Sequence, residues 1–96
     1  MDEEAPAAGT ADDHEKRRRL LDRLSQARMT ATRLNGLVEV EIDGHGELLR
    51  LGIDTTGLDS ARLRLVESGI VEAINDAEDQ SADLEERLLA QIFGEQ

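Results

Sequence analysis

Apolar and charged residues alternate through the middle of this chain, from Gly36 to Asp54, on both sides of a glycine turn. Val38, Val40 and Ile42 fall on one face of a strand, and Leu49, Leu51 and Ile53 match them on the next. A period of two on either side of a short Gly-containing loop predicts a β-hairpin with one buried and one wet face. Upstream, the threonines of Met29-Thr30-Ala31-Thr32-Arg33-Leu34 favour a further strand, and Asn35-Gly36 follows directly. Asn-Gly predicts a type I′ turn, because both residues tolerate positive φ. The pattern therefore gives a three-stranded antiparallel meander over about residues 30–34, 37–43 and 47–54.

On both flanks the rhythm changes to three and four. Leu20, Leu21, Leu24, Ala27 and the stem of Arg28 share one side of a helix over about residues 12–28, with Thr10 or Asp12 as its cap and Arg17, Arg18 and Asp22 facing away. A second helix begins near Leu58 or Asp59, capped by Asp59 or Ser60. Its apolar seam is Leu63, Val66, Ile70, Ile74 and Ala77, with Leu84 and Leu88 beyond, interrupted at Gln80-Ser81. At 1.5 Å per residue this helix is about 50 Å long, more than a small sheet can cover, so its far half is expected to pack on a second copy. Gly69, unfavourable in a helix by roughly 1 kcal/mol, marks a close crossing. Residues 1–11, acidic and without periodicity, read as a disordered tail, leaving residues 12–96 as one α+β domain.

Composition narrows the picture. With one Phe and no Trp or Tyr among 96 residues, the core is aliphatic and thin, and a second copy is a natural way to complete it. The absence of Cys excludes disulfides, thiolate catalysis and sulfur-ligated metals. No apolar run reaches the roughly 18–20 residues that span a bilayer, and the opening Met-Asp-Glu-Glu has no signal-peptide pattern, which together predict a cytoplasmic protein with no membrane partner.

The formal net charge is −11, but it is unevenly placed. Residues 14–34 carry seven cations against two acids, whereas residues 36–96 carry fifteen acids against four arginines. The cations concentrate in Lys16, Arg17, Arg18 and Arg19, with Arg23 one turn on. Four consecutive cations point all round a helix, so some must be exposed, where they either hold phosphates or neutralise the chain's own acids. Arg62, Arg64 and Arg87 sit among acids and read as solvated ion pairs. The helix bearing Asp76, Glu78, Asp79, Asp83, Glu85 and Glu86 reads as a solvated acidic face.

Little points to catalysis. Glu39, Glu41 and Asp43 fall on one face of the middle strand with no nucleophile or positioned base beside them, the pattern of a wet sheet face. His14 stands alone, and His45 lies in the Gly44-His45-Gly46 turn. No catalytic residue, cofactor or metal ligand is expected, and no helix-turn-helix or zinc finger suggests base-specific reading.

Taken in order, a helix, a strand, Asn35-Gly36, the pattern Gly-Leu-Val-x-Val-x-Ile-x-Gly over residues 36–44, a strand ending Ile53-Asp54, and a long helix containing Glu72-Ala73-Ile74-Asn75-Asp76-Ala77 resemble the YbaB/EbfC family of bacterial nucleoid-associated proteins. The likeness runs from about Leu20 to Ile92. It implies an α-β-β-β-α protomer, an intertwined homodimer with its helices projecting around DNA, and a non-enzymatic, sequence-nonspecific DNA-binding role in the nucleoid. Double-stranded DNA would then contact Lys16, Arg17, Arg18, Arg19 and Arg23. The alternative that it implies is a protein-interaction module that uses its acidic helix to hold a basic protein partner or to support a secretion system.

Overall fold

The computed structural model describes residues 7–94 of the chain. Its order is α1 (Ala7–Gln26), β1 (Arg28–Arg33), β2 (Val38–Asp43), β3 (Leu48–Ile53) and α2 (Ser60–Phe93), with β1, β2 and β3 forming one antiparallel sheet in that order. The protein is thus an α-β-β-β-α, α+β fold.

α1 begins at Ala7, ahead of the expected Asp12, so residues 7–11 are helical and not tail. Ala7, Ala8 and Ala11 explain the extension, since alanine is the best helix former. The remainder of the expected tail, residues 1–6, lies outside the described residues. At the other end α1 stops at Gln26, and Ala27 alone joins it to β1. Arg28, expected on the apolar side of the helix, opens the strand instead, and its guanidinium donates to the carbonyls of Ser25 at 2.9 Å and Ala27 at 2.8 Å. These bonds serve carbonyls that the end of the helix leaves without partners.

The Asn35-Gly36 turn forms as the sequence predicts, with φ of 57° and 87° and the Leu37 N–H donating to Leu34 O at 3.2 Å. Leu34 also takes a positive φ, 59°, so β1 ends one residue earlier than expected. Its side chain lies over Gly69, where a Cβ would stand 3.2 Å from Leu34 Cδ1. Gly69 therefore does mark a close crossing of α2 over the sheet.

Val38, Val40 and Ile42 are the most deeply buried large side chains, covered by α2 on the inner face of the sheet. Ile53 pairs with Val38 and Leu51 with Val40, so those rows match as predicted. A β-bulge between Glu41 and Ile42 then brings Leu48, not Leu49, opposite Ile42 and leaves Leu49 as the extra residue. α2 packs on β1 and β2 and does not reach β3.

α2 starts at its predicted cap, Asp59, whose Oδ1 accepts from the Arg62 N–H at 2.9 Å. Val66, Gly69, Ala73, Ala77 and Ser81 form one buried row that continues through Leu88 and Ile92. Part of the far half is covered within the same chain, while Leu89 and Phe93 stay exposed. Leu20 and Leu24 of α1 cover Leu84, Leu88 and Ile92 in a second, smaller core. The single-residue link at Ala27 sends α1 off the end of the sheet and along the rest of α2. Of the expected seam, Val66 and Ala77 are buried in the main core, Ile70, Ile74 and Leu84 pack partly against it, and Leu88 belongs to the second core. Leu63 is 47% exposed, because it sits in the first turn of α2 on the flank that would face β3. Leu21, expected to pack inward, is exposed as well, about 100° round the helix from Leu20.

Candidate nucleic-acid interface

The seven cations that the sequence concentrates in residues 14–34 divide into three groups once their surroundings are known. Arg28 caps α1 and lies 3.9 Å from Glu41, and Arg33 reaches from β1 to Glu72 at 3.5 Å and Asp76 at 3.4 Å on α2. Both hold elements together. Lys16 pairs with Asp12 at 3.5 Å and Arg18 pairs with Glu15, each within α1. Arg17, Arg19 and Arg23 are exposed and meet no carboxylate among the described residues.

Helical geometry arranges these groups. Leu20 and Leu24 point at α2, so Lys16, Arg19 and Arg23, spaced at three and four, run along one flank of α1 for about 10 Å. Arg17 emerges from the opposite flank and Arg18 from the back. Arg23 borders a shallow depression with Gln26, Ala27, Leu84 and Leu88 at the seam of the two helices. Duplex DNA carries one charge per about 1.7 Å of axis, so a row of this length faces several phosphates. The ion pairs of Lys16 and Arg18 are surface pairs contributing at most about 1 kcal/mol, and breaking them to contact a phosphate is inexpensive.

Elsewhere the charges are either satisfied or of the opposite sign. On the outer face of the sheet Arg50 lies 3.3 Å from Glu39 and 3.4 Å from Glu41, and those carboxylates, Glu39 foremost, push its pKa further up. Arg62, Arg64 and Arg87, read from sequence as ion-paired, meet no carboxylate among the described residues, although Glu67 and Asp83 stand at helical spacing from Arg64 and Arg87. Glu78, Asp79, Asp83, Glu85 and Glu86 are exposed on the far half of α2, as a solvated acidic face should be.

Asp43 departs from the wet-face expectation. It is buried at the end of β2, and its Oδ1 accepts from the N–H groups of Glu47 at 3.0 Å and His45 at 2.9 Å, closing the β2–β3 turn. These backbone donors, Glu47 first, hold its pKa below the ordinary 3.8, and the N–H of Thr56 does the same for Asp54. Because both folded-state pKa values are depressed, the stability they contribute is present above the unfolded value of about 3.9 and lost as pH falls through the folded values. The thermal midpoint should be flat from pH 7 to 5 and drop below pH 4. Asp43→Ala should lower it at neutral pH and flatten the acid limb; an unchanged acid limb would refute the assignment.

A family model for the YbaB/EbfC DNA-binding family matches residues 10–96, which takes in α1, the sheet and α2. This chain belongs to the YbaB/EbfC family. It is similar to a nucleoid-associated protein of Moorella thermoacetica, 30% identical over 76 residues that make up 79% of this chain and 73% of that one. The same fold occurs in the crystal structure of an uncharacterized protein from Helicobacter pylori, with a TM-score of 0.72 at 22% identity over 95% of this chain and 97% of that one. YbaB/EbfC is a family of DNA-binding, nucleoid-associated proteins and not of enzymes, in accord with the resemblance carried by residues 36–44 and 72–77. No helix among the described residues is long and apolar enough to cross a membrane.

Proposed function

We propose that this YbaB/EbfC protein binds duplex DNA without sequence preference, as a homodimer in the cytoplasmic nucleoid, with residues 12–96 as its working domain. The observation that carries the reading is the exposure of Arg17, Arg19 and Arg23 on α1 without carboxylate partners among the described residues, in a chain whose net charge is −11. So acidic a chain has every opportunity to neutralise its own cations. Exposed guanidinium groups left unpaired are suited to phosphate oxygens, which they bind by paired hydrogen bonds. Backbone contacts position a protein on DNA without reading bases, and helix α1 brings no base-reading motif to the groove.

The homodimer is supported by the apolar side of β3. Leu51 and Ile53 lie on the face of Val40 and Val38 yet remain 41% and 36% exposed, and Leu63, Ile70 and Ile74 flank the uncovered space from α2. A second copy placed there would complete the core and double the number of free arginines. Six phosphate contacts predict a loss of about a thousandfold in affinity between 50 and 200 mM salt. Fluorescence anisotropy of a labelled random-sequence duplex measures this, and an absence of binding at 50 mM would overturn the proposal. Glu78, Asp79, Asp83, Glu85 and Glu86, exposed and unpaired among the described residues, favour a second reading, a surface for a basic protein partner. That reading predicts no duplex binding at either salt concentration.

A further inference from the structure

Three elements meet at one residue without a side chain. The N–H of Gly44, at the start of the β2–β3 turn, donates to Leu24 O near the end of α1 at 2.8 Å. Its carbonyl accepts from Ser81 Oγ of α2 at 2.7 Å, a buried bond. A Cβ at position 44 would stand 2.6 Å from Leu24 O and 2.7 Å from Leu24 Cα, so glycine alone permits this approach. One residue further on, His45 Nε2 lies 3.1 Å from Ser25 Oγ. Ser81 is placed where α2 passes from its sheet-facing half, ending at Ala77, to its α1-facing half, beginning at Leu84.

The rest of α1 is lightly held. Ala27 is the whole of its covalent link to the sheet, its other ties to it lie in its last turn, and Leu20 and Leu24 are its buried apolar side chains among the described residues. Two leucines on one row define a line of contact about which a helix can roll and swing. Hydrogen bonds from a turn on one side and a buried serine behind it remove that freedom, and binding constellations need their supports fixed to within about 0.5 Å.

We infer that the β2–β3 turn is a clamp that sets the angle of α1, and that Gly44 and Ser81 are positioning residues for DNA binding. They act through Leu24 on Arg17, Arg19 and Arg23 and touch no phosphate themselves. The inference rests on α1 being the DNA-contacting arm. The clamp itself is independent of that reading.

The test uses the full chain, which has no cysteine, with spin labels introduced at Asp13→Cys on α1 and Ser68→Cys on α2. Labelled protein is diluted into unlabelled protein so that pulsed dipolar spectroscopy reports distances within one chain. The parent should give one narrow distribution. Ser81→Ala, which removes the hydroxyl and keeps a good helix former, should broaden it and weaken DNA binding several-fold at unchanged helical content. Gly44→Ala should do more, and if it fails to fold, Ser81→Ala decides. A parent-like distribution in Ser81→Ala overturns the clamp. A broadened distribution with unaltered DNA affinity overturns the positioning role. A parent that binds no DNA refutes the function proposed above, while the distance distributions still decide the clamp.

Discussion

Replacing Arg17, Arg19 and Arg23 together with glutamine should lower affinity for random duplex DNA at least about a hundredfold at 50 mM salt and remove most of its salt dependence. Each lost phosphate contact reduces the slope of log K against log salt by about 0.9, so three per chain in a dimer reduce it by about 5. The fold should survive, because glutamine is nearly as good a helix former as arginine and Leu20 and Leu24 keep their packing. The informative control is Lys16→Gln with Arg18→Gln. Those cations contact phosphate only after leaving Asp12 and Glu15, so each contributes less to binding than an arginine that has no pair to break. Their removal should shift affinity less per residue than removal of the unpaired arginines. Anisotropy titrations at four salt concentrations measure both slopes, and a triple variant with the parent slope would exclude α1 as the contact.

The fold was legible wherever the determining interactions are local. Asn35-Gly36 dictates its own turn, Asp59 caps its own helix, and the alternation of Val38, Val40 and Ile42 declares which face of the strand is buried. Periodicity says which face is apolar but not what lies on it. For that reason the apolar far half of α2 reads as a face for a second copy, and α1 of the same chain covers its Leu84, Leu88 and Ile92. The bulge that exchanges Leu48 for Leu49 arises from pairing between strands and leaves no mark in either strand alone. The break in the apolar repeat at Gln80-Ser81 was visible, and its meaning was not. Gln80 Nε2 donates to Thr30 O at 3.0 Å and Ser81 donates to Gly44 O, so two polar side chains interrupt the seam to serve carbonyls of the sheet and its turn.

The candidate site shows the same division. A cluster of cations is plain in the sequence, but which of them is available depends on neighbours distant along the chain. Arg33 is withdrawn by Asp76, 43 residues away, and Arg28 by the carbonyls of the helix it follows. Arg17, Arg19 and Arg23 remain: Asp13 stands four residues before Arg17, and Glu15 and Asp22 stand at helical spacing from Arg19, yet among the described residues none of the three arginines meets a carboxylate, and Glu15 is taken by Arg18.

Substituting Leu51→Glu together with Ile53→Glu should convert the proposed dimer to monomers and leave each monomer folded. Both side chains stand opposite fully buried valines but are themselves outside the cover of α2, so charge there is tolerated by the isolated chain. In a dimer four such side chains lose the part of their surface still exposed, roughly half of the 1.5–3 kcal/mol each that full burial gives, or about 3–6 kcal/mol. That corresponds to about two to four decades in the dimer dissociation constant, before the penalty for burying four carboxylates is added. Sedimentation equilibrium measures the change, and a variant that remains dimeric would move the interface away from β3. The effect on DNA separates this variant from the arginine one. Monomers retain Arg17, Arg19 and Arg23 at half the number per particle, so the salt slope should fall by half while the arginines still function. The arginine variant should instead lose its slope with the dimer intact, because the proposal places phosphate contact and dimerisation on different elements, α1 and β3.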